Sequence, residues 1–334
     1  MFGSFSSLRV DKFKRDFSVL NLRQIIFLMI AATPFSLLAQ WRATGAPVRV
    51  AGGETHFVRP VWSPDGQRIA FTSENYRGLW VMEVSSSEVT QVTEEPAAGF
   101  GFAWSGDGKA IAARVAKFEN WRRYNAVQIF EVESGESWQV TDFRSRMPGL
   151  PQWTSDNRQI YLFTGRRTES FDSRLPSAIV SAGDERAGRA SLQYGKIAVQ
   201  QNVGEQWRVL DPLQGKRCIN LALSPDGQKA AFEVVGGNMF VVNLDGSGLT
   251  DLGPGNRPAW SPDGQYLTFM IAEDDGHEFT GSDIFTIKID GSEKVNITNS
   301  RDRLEMNPSW SPDGGRIVFD DFRTGEILLL RVQK

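Results

Sequence analysis

The chain has 334 residues, 40% of them hydrophobic and 23% charged, a balance that builds a core and argues against disorder. Formal net charge is −3, and the body of the chain has no basic run, so the electrostatic footprint of a nucleic-acid binder is absent. One cysteine, Cys218, excludes an internal disulfide, and the two histidines, His56 and His277, form no Cys/His pattern with zinc spacing. The 32 glycines suit a chain with many tight turns, which points to an all-β fold.

In chain order, residues 1–24 are mixed polar and carry Arg9, Lys12, Lys14, Arg15 and Arg23, and Ile25 to Leu38 then runs apolar. Fourteen residues are too few for a membrane span, which needs about 20, and suit the core of a secretory signal, with Ala39 at a cleavage position. Residues 1–39 are therefore expected to be a signal peptide and 40–334 a single mature domain; an uncleaved anchor or a buried helix is the competing reading. Five Lys/Arg and two Asp in residues 1–39 leave a formal charge of −6 for the rest. A periplasmic or secreted monomer follows, with no membrane span after cleavage.

From residue 60 onward one unit recurs. Pro60-Val-Trp-Ser-Pro-Asp-Gly66 is followed by Phe102-Ala-Trp-Ser-Gly-Asp-Gly108, Pro151-Gln-Trp-Thr-Ser-Asp-Asn157 and Leu221-Ala-Leu-Ser-Pro-Asp-Gly227. Pro258-Ala-Trp-Ser-Pro-Asp-Gly264 and Pro308-Ser-Trp-Ser-Pro-Asp-Gly314 complete the series. Pro presets φ, Asp hydrogen-bonds the local backbone and Gly takes positive φ, so Ser-Pro-Asp-Gly is a hairpin turn. Asp65, Asp107, Asp226, Asp263 and Asp313 are read as turn formers. The Trp before each turn is read as a wedge between neighbouring sheets. Each turn precedes an apolar run such as RIAFTS, QIYLFT or RIVFDD, and then a second run such as LWVMEV, SAIVSA (residues 177–182) or ILLLRV. Turns at Asp245-Gly-Ser-Gly248 and Asp290-Gly-Ser292 lead to a fourth strand. Four antiparallel strands per unit is the blade of a β-propeller.

The 70 residues between Trp153 and Leu223 are too many for one blade; within them, Lys196 to Gln201 and Gln206 to Asp211 match second and third strands. Second strands then begin near Ile69, Ile111, Ile160, Ile197, Ala230, Leu267 and Ile317, which predicts seven blades. Six blades with an insertion near residues 165–200 is the alternative. The last unit stops after its third strand, so Pro47 to Ala51 is expected to supply the fourth and close the ring.

The phrase Pro-x-Trp-Ser-Pro-Asp-Gly-x-x-Ile/Leu-x-Phe resembles the propeller repeats of the TolB family, periplasmic components of the Tol–Pal system, over nearly all of residues 47–334. The resemblance implies a non-catalytic propeller that binds an envelope protein or peptide. TolB-like chains carry an α/β domain before a six-bladed propeller; here the propeller begins almost at once, and that domain is expected to be lacking.

Function is expected on the face opposite the Ser-Pro-Asp-Gly turns. Three connections between second and third strands read as long loops: 115–126, 164–176 and 271–283. The first carries Trp121, Arg122, Arg123 and Tyr124, and the second Arg166, Arg167, Phe171 and Arg174. Arg and aromatic residues are enriched in interface hot spots, so these are the candidate partner-binding residues. A second candidate is the channel mouth, just before each first strand, where Arg59, Arg257 and Asn307 hold equivalent places with Asn256 and Glu305 nearby. Two Arg there suit a carboxylate or a peptide C-terminus.

Enzyme signatures are lacking: there is no Gly-x-Ser-x-Gly elbow and no convergent catalytic set, so no cofactor is expected. The competing reading is a propeller lyase, glycosidase or carbohydrate binder that uses channel-face carboxylates and a metal. Its strongest cluster is Glu273, Asp274, Asp275, His277, Glu278 and Asp283, with Asp320 and Asp321 on the neighbouring blade, and Asp274, Asp275 and Glu278 are the candidate metal ligands. Calcium favours such oxygen ligands, although the spacing matches no known calcium loop.

Overall fold

The structure, a computed structural model, describes residues 40–147, 149–164, 168–175, 188–202 and 204–334. The expected signal segment, together with Arg166, Arg167 and the 177–182 run, lies outside the described residues. Among those described there is no α-helix, hence none long and apolar enough to cross a membrane.

The turn motif builds each hairpin through one repeated network. In blade 1 the Ser63 hydroxyl donates to Asp65 Oδ1 at 2.5 Å and accepts from the Arg68 amide at 2.9 Å. Asp65 Oδ1 also accepts from the Gln67 amide at 3.0 Å. The same bonds recur at Ser224/Asp226, Ser261/Asp263 and Ser311/Asp313. Thr154 and Asp156 repeat them in blade 3, where Asn157 takes the glycine's positive φ of 60°.

Seven antiparallel sheets form the seven blades of a β-propeller. Blade 6 has its full set, Asn256–Trp260, Tyr266–Asp274, Phe279–Lys288 and Val295–Asn296. Second strands lie at Arg68–Ser73, Ala110–Glu119, Gln159–Phe163, Lys196–Gln200, Lys229–Val234, Tyr266–Asp274 and Arg316–Asp321, one at each predicted start. Blade 4, whose turn motif is lost, is Arg189–Gln193, Lys196–Gln200 and Arg208–Leu210, turned at Tyr194-Gly195. In blade 3 the third strand is Thr168–Asp172, not the 177–182 run. The apolar SAIVSA drew the expectation because TESFD is polar; that strand is only half-buried and needs no apolar run.

Both faces of a blade are covered, so second strands read as continuous apolar runs. Ile69 and Phe71 pack toward blade 7, while Ala70 packs toward blade 2. The wedge tryptophans fasten successive blades: the indole N–H of Trp104 donates to Val61 O (3.3 Å), Trp153 to Ala103 O (2.9 Å) and Trp260 to Ala222 O (3.0 Å). Ring closure follows the expected route. Val48–Ala51 pairs with Glu326–Gln333, Val48 opposite Leu329, and Arg42–Ala43 continues along the same strand. Trp41 then stacks edge-on against Trp310 with ring centroids 4.9 Å apart.

Because Trp260 is buried and also holds an interblade hydrogen bond, Trp260→Ala is expected to cost about 3–5 kcal/mol. Ser261→Ala, which strips the turn network, is expected to cost about 1–3 kcal/mol. Urea denaturation of both variants checks the ranking; equal or negligible losses would contradict these roles.

Candidate functional site

The inner strands of four blades share one irregularity. Register slips between Val58 and Val61, Ile219 and Ala222, Asn256 and Ala259, and Met306 and Ser309. Each slip centres on a residue with left-handed φ: Arg59 (58°), Asn220 (50°), Arg257 (57°) and Asn307 (51°). Gly101 takes the equivalent place in blade 2 with φ 78°. A bulge frees backbone amides from the ladder and re-aims the side chain. The freed amides go to buried acids at the ends of second strands. Arg59 N donates to Asp320 Oδ1 at 2.9 Å, and Asn307 Nδ2 donates to the same oxygen at 3.0 Å. Two blades earlier, Glu233 accepts from the Arg257 amide, from Asn220 Nδ2 at 2.9 Å and from Asn256 Nδ2 at 3.1 Å.

The bulged residues therefore lie within the first strands, not before them, and they line the central channel. A cavity of about 350 Å³ is bounded by Arg59, Asn220, Arg257 and Asn307 with Pro60, Pro258 and Pro308. An adjoining cavity of about 480 Å³ shares Arg59, Asn220 and Arg257 and adds Arg114. Arg114 occupies on blade 2 the place that Asp320 and Glu233 hold on theirs, three residues beyond Ile111 as they are three beyond Ile317 and Ala230. Its Nη1 donates to Met147 O at 3.1 Å, its guanidinium lies 5.1 Å from the Phe100 ring, and its Nε is buried with no partner among the described residues. Burial, and then Arg257, lowers the pKa of Arg59; burial, and then Arg123, lowers that of Arg114. Glu305, expected at the mouth, is instead fully buried and lines neither cavity. Its strand position turns it between blades, opposite Asp321.

The three connections read as loops are also different. Residues 115–126 are the ends of two ten-residue strands, Ala110–Glu119 and Arg122–Glu131, joined by Asn120 and Trp121, both at left-handed φ. This two-residue turn has the geometry that suits the strand twist. The resulting arm carries a fully exposed Trp121 and a Phe118 with 67% of its surface free, beside exposed Arg122 and Arg123. Tyr124 is half-buried on the same arm. A second arm, Tyr266–Asp274 with Phe279–Lys288, replaces the 271–283 loop. The first arm turns without glycine, so no turn signal marks it, whereas the second turns at Asp275-Gly276, with Gly276 at φ 90°. Phe171 and Arg174 do not join this face. Phe171 packs against the core between blades 2 and 3 with Arg144 over its ring, and Arg174 follows the third strand, at the end where the Ser-Pro-Asp-Gly turns lie.

Two of the three candidate metal ligands, Asp274 and Asp275, cap the arm's own turn. Asp274 Oδ1 accepts from the Gly276 amide, and Asp275 Oδ1 accepts from the His277 and Glu278 amides. Among the described residues no group of three acids, His or Cys is placed to hold a metal. Asp320 belongs to the channel network, and Asp321 accepts from the Leu304 and Arg323 amides. Sequence reading missed Arg114, Asn220 and Glu233; a charge inside an otherwise apolar second strand (AIAARV, KAAFEV) was the available signal.

No protein-family model matches the chain. A TolB homolog of Chlorobium luteolum is 40% identical over 124 residues, covering 35% of this chain and 27% of that protein. An uncharacterized protein of Agrobacterium fabrum is 32% identical over 118 residues, covering 33% of this chain and 38% of the other. The chain thus spans well under half the length of either relative. Among solved structures, TolB of Acinetobacter baumannii superposes with a TM-score of 0.52 at 17% identity, covering 82% of this chain and 65% of that one. The chain is a TolB-like β-propeller. An oligogalacturonate lyase of Vibrio parahaemolyticus superposes with a TM-score of 0.56 at 12% identity over 88% and 96% of the two chains, a likeness of fold.

The buried acids give stability a definite pH dependence. Burial pushes Asp320 up to about 7 against the pull of the Arg59 amide and Asn307, and pushes Glu305 up to about 7 as well. Each holds its proton when folded over a range where the unfolded chain has lost it, so their contribution is complete below about pH 4 and is lost as pH rises toward about 7. The turn acid Asp156 is shifted down, by the Thr154 hydroxyl above all, and its contribution is lost as pH falls below about 4. Stability is therefore expected to peak on the acid side of neutrality. In urea titrations across pH, Asp320→Asn should flatten part of the decline between about pH 4 and 7; an unchanged slope would show that Asp320 stays ionised.

Proposed function

We propose that this chain is an exported, non-catalytic β-propeller that acts as a monomeric docking module for an envelope protein or peptide. The observation that carries the reading is the arm of blade 2. Soluble proteins seldom leave large aromatics fully exposed at a projecting tip, and Trp with flanking Arg is the composition of a binding hot spot. The connections between second and third strands and the beginnings of the first strands share one end of each blade, so the arms and the arginine-lined channel mouth open on the same face. TolB likeness and the signal-like composition of residues 1–39 support an envelope location.

In-cell proximity crosslinking of the exported protein is expected to capture one or two envelope proteins. Trp121→Ala combined with Arg122→Glu should reduce capture by roughly tenfold or more with the melting temperature unchanged. Undiminished capture would remove the arm from the interface. Turnover of an acidic polysaccharide by the purified protein would replace this reading with that of a propeller lyase.

A further inference from the structure

Three guanidinium groups face one water-accessible channel without a counter-ion. Arg59, Arg114 and Arg257 line its adjoining cavities, and among the described residues none of them has a carboxylate within ion-pair distance. The nearest acids are already committed. Asp320 is fully buried and takes the Arg59 amide and the Asn307 side chain, while Glu233 takes three nitrogen donors. Arg257 Nη1 reaches only a neutral acceptor, Asn220 Oδ1, at 2.8 Å. The Arg59 guanidinium lies 4.9 Å from the Tyr76 ring. Arg59 and Arg257 repel each other, Arg114 is partly desolvated beside them with its Nε unpartnered, and such cations with unused donors are a site waiting for an anion, because an anion eases the repulsion and fills the donors together.

The rest of the channel states what the anion is attached to. Pro60, Pro258 and Pro308 follow the bulged residues and present no N–H, and Val61, Ile219 and Leu221 add apolar wall. Asn220, Asn307, Gln152 and Ser191 are the other polar side chains of the wall, and the prolines and aliphatic residues beside the arginines suit an apolar side chain next to a single charged group. We propose that the channel mouth binds the C-terminal carboxylate of a peptide with an apolar last residue, held by Arg59, Arg114 and Arg257. The inference names the chemistry of what the docking face takes and rests on that reading for its biological source only.

The test uses the purified full chain and synthetic tetrapeptides ending in leucine, as free acid and as C-terminal amide, followed by calorimetry. The free acid is expected to bind saturably and the amide at least about tenfold more weakly. Asn occupies the equivalent bulge in blades 5 and 7, so Arg59→Asn and Arg257→Asn keep a backbone this fold already accepts. Each should weaken the free acid by about tenfold or more without lowering the melting temperature. Trp121→Ala should leave peptide binding intact while impairing partner capture, so the two readings fail separately. Equal binding of acid and amide, no binding of either up to about 10 mM, or binding of trigalacturonate in place of the peptides would each overturn the proposal.

Discussion

A blade of this propeller is a small sheet with two apolar faces, and neither can be left in water. Everything else depends on fastening each face to the next blade, and at three of the seams the chain does so at one residue. The wedge tryptophan ends the innermost strand, fills the space between sheets and donates its indole N–H to a carbonyl of the preceding blade. A hydrogen bond there gives the polar edge of a buried indole its partner. The seams on either side of blade 7 differ. Between blades 6 and 7 Trp310 bonds within its own turn to Gly314 O at 3.0 Å, and between blades 7 and 1 Trp62 Nε1 has no partner among the described residues. There the fastening passes to strand pairing, with Val48–Ala51 laid on Glu326–Gln333.

What could be read in advance was what is local. The Ser-x-Asp network closes within five residues, so its sequence trace is sharp, and it located six of the seven blades. Blade 4 was legible only through the apolar run at Ile197, because Tyr194-Gly195 makes the same turn with different residues. The arm of blade 2 was illegible for a related reason. A two-residue hairpin turn is usually announced by glycine, and here Trp121 itself adopts φ 63°. Phe171 was assigned to a surface that it does not reach because its strand is polar on one side. No local rule places a third strand whose apolar residue is a lone Phe.

The channel mouth was half legible. Arg59, Arg257 and Asn307 stand out by their place before proline, but their purpose lies in partners on other strands, and for Arg59 and Arg257 on another blade. Asp320 is 261 residues from Arg59. Left-handed φ at a non-glycine residue costs about 1–2 kcal/mol, and four blades bear that cost at the same position. The compensation is visible: the bulge turns a ladder amide toward a buried acid and sends the side chain into the channel. Asparagine, which tolerates this conformation best among non-glycine residues, fills it twice. Arginine has no such tolerance, so its presence at the other two positions is a departure from what backbone preference alone would select.

That departure breaks the symmetry of the ring. At equivalent places blades 1, 2, 5, 6 and 7 carry Arg, Gly, Asn, Arg and Asn, and the glycine of blade 2 faces a channel that Arg114 of the same blade enters from the second strand. A structural channel would be served by any small polar residue repeated around it. Here the cations gather while Leu150, Leu192 and Ile219 leave another part of the wall apolar. The rest of the chain outside residues 1–39 is acidic overall, so the positive mouth is a local feature held against the field of the whole protein. A general electrostatic attraction would need no such arrangement. A ring with charge on one side and apolar surface on the other can orient what enters it, and orientation is what distinguishes a site from a pore.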